Sequence, residues 1–320
     1  MSAMNDTLRV RVSRIERLAD GIKRFTLRRS DGLDLPAFDS GSHVVVHADG
    51  GRIRNAYSLT SDIHDLGQYQ ICVRKEEASR GGSRFMHEDV REDDELHIGP
   101  PANLFGLHPG DGKHVLVAGG IGITPFLTHI QALARRGAPF ELHYCFRNRA
   151  GAAALDVLPA LAGTQRLRLY ESDAGTMLDV AALVAGQPAD AHIYVCGPQP
   201  LNDAVVAAAK AAGWDAGRIH FEQFRNDVDA TGGAFDVTLR KSGKTLHVGP
   251  DDTLLRVIEK AGIKVDCMCR EGICGSCETA IVDGEADHRD SYLSDDDKAA
   301  QKTMMLCVSR CKGPHLVLDL

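Results

Sequence analysis

Leu8-Arg9-Val10-Arg11-Val12-Ser13 alternates apolar and polar side chains, and 42–47 and 69–74 do the same. A period of two predicts strands with one buried face. Up to about residue 106 few helical patterns occur, and Asp-Gly, Gly-Gly and Pro breaks recur. Many short strands with such breaks predict a small antiparallel β-barrel. From about 110 the pattern changes. Residues 113–118 form a continuous apolar run, the mark of a strand buried on both faces. After a glycine turn, Pro125 suits a first helical position, Phe126, Ile130, Leu133 and Ala134 share one face, and Gly137 ends the helix. Further strands are predicted over 140–146, 166–170 and 192–196, and a helix over 200–212. Strands alternating with helices predict a parallel sheet covered on its faces. Residues 227–234 are small, polar and glycine-rich and read as a linker. Two strands, 235–240 and 244–248, and a helix over 253–261 follow, as in a compact β-grasp domain of the α+β class.

Candidate chemistry is densest after that helix. Cys269, Cys274 and Cys277 are followed by Cys307. This is the C-x4-C-x2-C…C spacing of a plant-type [2Fe–2S] cluster. Three thiolates must converge from one short loop, and Gly272 and Gly275 let it fold tightly with backbone N–H groups aimed at sulfur. Zinc favours paired C-x2-C knuckles, which the four-residue gap fits poorly. Cys267 and Cys311 fall outside the spacing and read as small buried or incidental thiols.

The chain has 320 residues, enough for two or three domains, and a formal charge of −7, which disfavours nucleic-acid binding. Of nine cysteines, those after residue 260 are Cys267, Cys269, Cys274, Cys277, Cys307 and Cys311. That clustering points to metal binding in a reducing, cytoplasmic setting, against a disulfide framework. The N-terminus has no signal-peptide core, and no run of 18 apolar residues predicts a membrane span.

Two turns in the central part suit a dinucleotide. Gly119-Gly120-Ile121-Gly122-Ile123-Thr124-Pro125 joins strand to helix, where glycines admit a diphosphate and the helix start favours its charge. It lacks the third glycine of the full Rossmann fingerprint, and a merely structural glycine turn is the alternative. Cys196-Gly197-Pro198-Gln199-Pro200 ends a second buried strand, where ligands of parallel sheets gather. Asp173 could bond a ribose 2′-hydroxyl and repel a 2′-phosphate, whereas Arg147 and Arg149 argue the other way. In the barrel, Arg54-Asn55-Ala56-Tyr57-Ser58-Leu59 offers a ring to stack on a flavin and groups for its phosphate or ribityl oxygens. Arg80-Gly81-Gly82-Ser83 offers a phosphate cradle before a helix predicted over 85–89. Either segment alone also reads as an ordinary strand end or turn. The lone His87, His97 and His143 are assigned no role, and Cys145 reads as a buried small side chain.

These motifs, in this order, resemble the phthalate dioxygenase reductase family of oxygenase reductases. Gly284-Glu285-Ala286-Asp287-His288-Arg289-Asp290 and the ending Leu316-Val317-Leu318-Asp319-Leu320 resemble it too, so the likeness spans the whole chain. It implies 1–106 as an FMN-binding β-barrel, 107–226 as an NAD-binding α/β domain, 227–234 as the linker and 235–320 as a plant-type [2Fe–2S] ferredoxin domain. It implies that Tyr57 and Ser58 hold FMN with Cys72, Val73 and Arg74, that Gly81, Gly82 and Ser83 cradle its phosphate, and that Thr124 lies near the ring. Cys196 and Gly197 would meet the nicotinamide of NADH, and Phe224 would pack by the flavin. The usual Arg-x-Tyr-Ser signature is altered. Asn55 stands at the arginine position and Arg54 one residue earlier, on the opposite face of a strand. The resemblance further implies that the chain passes electrons from NADH through FMN and the cluster to a terminal Rieske oxygenase, and a monomer is the favoured state. A ferredoxin-fused NADH reductase serving another acceptor is the alternative. Asp283, Glu285, Asp287, Asp290 and 295–297 read as a solvated acidic surface, or as one that steers toward a basic partner.

Overall fold

The computed structural model describes residues 7–48, 53–77, 81–224 and 229–320. Arg80 and linker residues 227–228 lie outside the described residues. Contacts divide the chain into two units, Met1–Phe224 and Arg225–Leu320.

In the first unit the alternating segments form an antiparallel sheet. Its strands are β1 (Leu8–Ala19), β2 (Ile22–Arg29), β3 (Ser42–Ala48), β4 (Ile53–Ser58), β5 (Tyr69–Arg74), β6 (Glu95–Ile98) and β7 (Ala102–Asn103). The order is β4-β3-β6-β1-β2-β5, with β7 on β3. Leu59, just past β4, bridges to Ile71 of β5, so the two ends of the sheet meet. The alternation is visible in the interior, where Val10, Val12, Phe25, Leu27, Val44, Tyr69, Ile71 and Val73 form one apolar core. Helix α1 (Gly82–Glu88) packs beside β4 and β5.

The parallel sheet has the order β10-β9-β8-β11-β12. Its strands are β8 (His114–Gly119), β9 (Phe140–Phe146), β10 (Leu167–Glu171), β11 (His192–Cys196) and β12 (Ile219–Glu222). Every residue of β8 and β11 is buried, as a strand covered on both faces requires. Helices α2 (Thr124–Arg136), α3 (Leu158–Ala162), α4 (Val180–Ala185) and α5 (Gln199–Ala211) cover it. Gly137 at φ 65° caps α2 through bonds to Leu133 O and Ala134 O. Helix α2 begins at Thr124, and a 3-10 turn over Gly120–Ile123 feeds it. The short α3 and α4 carry too few turns to show a helical period in sequence.

The two sheets of this unit share packing. Phe105 and Ile22 join Phe126, Leu116, Leu142 and Tyr144 in a single core. The Gly41 amide donates to Thr128 Oγ1 at 3.0 Å, and Arg135 pairs with Asp62. The boundary expected near residue 106 is therefore a seam inside one unit.

The second unit has a mixed sheet in the order β14-β13-β19-β15-β17. Its strands are β13 (Phe235–Leu239), β14 (Lys244–Val248), β15 (Glu278–Asp283), β17 (Thr303–Met305) and β19 (His315–Leu318). Strands β16 (Ala286–Asp287) and β18 (Arg310–Cys311) form a separate pair, and α6 (Leu254–Lys260) and α7 (Asp295–Ala300) complete the unit. Thr253 accepts from the Arg256 amide at the start of α6. Its core joins Leu254, Leu255 and Ile258 to Val237, Leu239, Met304, Leu306, Leu316 and Leu318.

At the N-terminal edge of the parallel sheet, aromatic rings of the first unit form a stack. His108 lies 3.9 Å from His192 between ring centroids, and Tyr194 lies 4.3 Å from His220. His192 Nδ1 and His220 Nε2 are 3.1 Å apart. Behind them His129 of α2 is wholly buried against Phe105, Phe126 and Tyr194. Burial pushes His129 down to about 3 from 6.5, and burial followed by the neighbouring histidines pushes His220 down to about 4. These rings are neutral in the fold and take protons more readily once unfolded. Their contribution is therefore complete above pH 6.5 and is lost as pH falls toward the folded values. The melting temperature of the first unit should drop between pH 6.5 and 4, and less steeply in a His129→Leu chain. Parallel pH profiles for the two chains would contradict this.

Candidate functional site

The C-terminal ends of the parallel strands bring the central motifs together. Gly119 and Gly122 sit against the turn after β11. A Cβ on Gly122 would lie 2.1 Å from Cys196 O, and one on Gly119 would lie 2.7 Å from Pro198 Cδ and 3.1 Å from Gly197 Cα. Both glycines are thus required by contact between the two turns. Gly120 differs, with φ 55° and, as its nearest group, Arg74 Nη1 at 3.9 Å from such a Cβ. This glycine is needed for its backbone angle and not for packing, and the space beside it faces Arg74 at the end of β5. Thr124 is buried, and its hydroxyl donates to Ile121 O at 3.0 Å.

Asp173 stands exposed past β10, 3.4 Å from Arg147 Nε and 3.1 Å from Asn148 Nδ2. The acid and the base that argued opposite cofactor preferences therefore bond each other. Arg149 instead pairs with Glu171. Cys196 is buried, and its pKa is raised by burial and then by Glu222. Glu222 is cross-strand partner to Cys196, with Oε2 4.0 Å from Sγ. It was not singled out in the sequence, where it is one more glutamate at a strand end. Desolvation lifts this half-buried carboxyl to about 8. Phe224, two residues on, is exposed.

In the antiparallel sheet, Asn55 and Tyr57 share one face of β4. A Cβ on Gly82 would lie 2.3 Å from Asn55 Oδ1, so Asn55 abuts the glycine turn at the head of α1. Gly81 caps that helix at φ 112°, a value that disfavours a side chain. Arg54 lies on the other face with its cross-strand partner His47. Tyr57 Oη and Arg54 Nε are buried and have no hydrogen-bond partner among the described residues. Ser58 and Ser83 are buried, Ala56 is exposed, and Ser83 Oγ accepts from the Glu76 amide. On β5, Cys72 and Val73 are buried and Arg74 is exposed, paired to Glu76. The orphaned Tyr57 Oη, on the face of β4 whose Asn55 abuts the glycine turn, fits a polar, phosphate-bearing ligand such as a flavin nucleotide.

In the second unit the four cysteines converge. Hydrogen bonds from the thiols of Cys274 and Cys307 hold Cys269 well below its ordinary range, and those from Cys267 and Cys307 do the same for Cys277. Cys267, set apart by its spacing, is therefore in contact with two of the four. The Glu271 amide donates to Cys269 Sγ at 3.3 Å and the Gly272 amide to Cys307 Sγ at 3.2 Å. Gly272 and Gly275 have φ of 71° and 76°. A Cβ on Gly272 would lie 2.5 Å from Val308, and one on Gly275 would lie 2.3 Å from the exposed ring of Tyr292. Among the described residues no group of three or more acidic, cysteine or histidine side chains is arranged for a single ion. An all-thiol set with amides aimed at sulfur suits an iron–sulfur cluster.

The acidic stretch is divided by the fold. Asp290 is buried and accepts from the Leu293 amide, so it is no part of a solvated surface. Glu285 pairs with Lys312 and Asp287 with Arg289, while Asp295, Asp296 and Asp297 occupy the exposed first turn of α7.

Residues 237–312 match the 2Fe-2S iron-sulfur cluster binding domain, and residues 100–219 match the N-terminal domain of dimethylamine monooxygenase subunit DmmA-like proteins. The carnitine monooxygenase reductase subunit of Escherichia coli K12 is 49% identical over 97% of this chain and 98% of its own. The heme-dependent oxidative N-demethylase beta subunit of Ectopseudomonas mendocina is 44% identical over 99% and 100%. The solved structure of phthalate dioxygenase reductase is similar at a TM-score of 0.80 and 34% identity, over 98% of each chain. This chain belongs to the phthalate dioxygenase reductase family. It is an oxidoreductase of the kind that serves as the reductase component of an oxygenase system. The family works with NADH, FMN and a [2Fe–2S] cluster. No helix among the described residues is long and apolar enough to cross a membrane.

The raised pKa of Glu222 has a stability consequence of known sign. The folded chain holds this proton between pH 4.5 and about 8, where the unfolded chain has released it. The contribution is complete below pH 4.5 and is lost as pH rises through about 8. A Glu222→Gln chain should gain stability relative to the parent across that interval, read by urea denaturation. A constant difference from pH 4.5 to 9 would contradict the assignment.

Proposed function

We propose that the chain draws electrons from NADH at the C-terminal edge of the parallel sheet and delivers them, through FMN and a [2Fe–2S] cluster, to a terminal Rieske-type oxygenase. The observation that carries this reading is the meeting of Gly120 with Arg74. The one open glycine of the dinucleotide turn faces the strand beside the flavin motif.

In this reading Asn55, Tyr57 and Ser58, with Cys72, Val73 and Arg74, hold the flavin, and Gly81, Gly82 and Ser83 take its phosphate. Asn55 replaces the usual arginine with a neutral contact, and Arg54 stays on the far face. Gly119 and Gly122 shape the turn, while Gly120 and Thr124 border the nicotinamide with Cys196, Gly197 and Pro198. Asp173 holds the adenosine ribose, with Arg147 balancing its charge. Phe224 packs by the flavin. Glu222, kept protonated by burial below about pH 8, gives that edge a polar but uncharged wall. Cys269, Cys274, Cys277 and Cys307 ligate the cluster, and the Glu271 and Gly272 amides stabilise charge on its sulfurs. When bound, the flavin takes a hydride and the cluster accepts electrons one at a time.

The finer architecture follows the same reading: a flavin barrel over 1–106, a nucleotide domain over 107–226, a linker over 227–234 and a β-grasp ferredoxin domain over 235–320. The protein acts as a cytoplasmic monomer. Asp295, Asp296 and Asp297 supply an acidic face for a basic partner. A second reading has a haem acceptor in place of the Rieske centre, and the N-demethylase relative favours it.

Acid-released flavin, identified by chromatography, and kcat/KM for both pyridine nucleotides test the reading. FMN and a preference for NADH are expected, and Asp173→Ala should narrow that preference about tenfold. Released FAD, or an NADPH preference untouched by Asp173→Ala, would count against it.

A further inference from the structure

Arg310 is 2% exposed, and its hydrogen-bond acceptors among the described residues are backbone oxygens, not carboxylates. Its guanidinium is met by main-chain oxygens. Nη1 donates to Ala230 O and Asp252 O, each at 2.8 Å, and Nη2 to Gly233 O and Gly249 O, each at 3.0 Å. The cation also lies over the Phe235 ring, 5.3 Å from its centroid. A buried charge is costly unless hydrogen-bonded, and here the two Nη groups are satisfied while Nε is buried with no partner among the described residues. The planar fork of arginine presents four Nη donors in fixed directions to the two backbone segments, one more than a lysine ammonium carries.

The segment held this way is the one whose composition suggested a loose linker. Arg289 Nη1 adds bonds to Asp229 O and Thr231 O, and the Gly232 amide donates to Pro250 O. A side chain at Gly232 would press on both arginines, since a Cβ there would lie 3.1 Å from Arg310 Nε and 3.2 Å from Arg289 Nη2. Residues 229–233 are therefore strapped to the second unit.

The strap is continuous with the thiol site. Arg310 is three residues past Cys307. The Arg289 amide donates to Ser309 Oγ, which bonds Asp290 Oδ1. The Ser291 amide donates to Gly272 O, and Gly272 N–H donates to Cys307 Sγ.

We propose that Arg310 and Arg289 are positioning residues that fix where the connecting chain leaves the cluster-bearing unit, and thereby set electron transfer from flavin to cluster. This rests on the relay proposed above. No step of the chemistry passes through either arginine.

The test uses the full-length holoprotein and the variants Arg289→Ala, Gly232→Ala and Arg310→Gln. Cluster content is read by EPR, amide exchange over 229–235 by mass spectrometry, and the flavin and cluster reduction phases by stopped flow with NADH. The variants should keep the cluster and the parent's rate of flavin reduction. Exchange over 229–235 should be faster, and cluster reduction slower, each by about tenfold or more, as loss of charged hydrogen bonds implies. Faster exchange with an unchanged cluster phase would make the strap merely structural and overturn the proposal, as would unchanged exchange. If Arg310→Gln fails to fold, Arg289→Ala and Gly232→Ala decide. A parent that shows no flavin-to-cluster phase would instead refute the relay itself.

Discussion

Four thiols must reach one small volume, three of them from a loop of nine residues, and this convergence governs the second unit. The loop can close only where side chains are absent. Gly272 and Gly275 adopt left-handed backbone, and each is covered by a neighbour closer than a Cβ would allow, Val308 and Tyr292 respectively. With those positions bare, the Glu271 and Gly272 amides turn toward sulfur. The fourth thiol then ties the loop to the segment from Cys307 to Arg310, and through Asp290, Ser309 and Arg310 to the segment entering the unit. The hydrophobic core beneath, from α6 to Met304 and Leu316, supplies stability. The thiol loop decides what that stability is used to hold.

The first unit obeys a related constraint at a different site. The turns after β8 and β11 approach so closely that Gly122 lies against Cys196 O and Gly119 against Gly197. A methyl group on either would push the two strand ends apart. This contact brings Cys196 and Glu222 to the same edge as the start of α2. The packing of Phe105 and Ile22 into the core of the parallel sheet joins the antiparallel sheet to it. Two layers with different sequence grammars thus become a single unit with one seam.

Much of this was legible in the residues. The period-two alternation at the start of β1 and the apolar runs of β8 and β11 reflect one-sided and two-sided burial directly, whereas β3 and β5, read as alternating, bury consecutive residues, Ser42 to Val46 and Ile71 to Val73. The cysteine spacing was legible because thiolate geometry admits few loop lengths. Other features depend on partners distant in sequence and were not readable. Gly119 and Gly122 look like ligand glycines and are also packing glycines, which emerges only with Cys196 and Gly197 beside them. Asp290 looked like part of a solvated acidic run but is buried by Ser309 and Leu293. Glu222 acquires a shifted pKa from the strand pairing that sets it beside Cys196. Residues 229–233 have the composition of a flexible tether, and two arginines some 60 and 80 residues later hold them in place.

The central claim, that one chain converts the two-electron chemistry of a nicotinamide into single electrons at a thiol-ligated cluster, is tested most directly by anaerobic titration with NADH, followed by absorbance and EPR. The account predicts uptake of about three electrons, two for a flavin and one for a cluster, with a rhombic reduced-cluster signal. Bleaching of a flavin with no cluster signal would contradict it, and would leave the converging thiols of the C-terminal unit to some other chemistry.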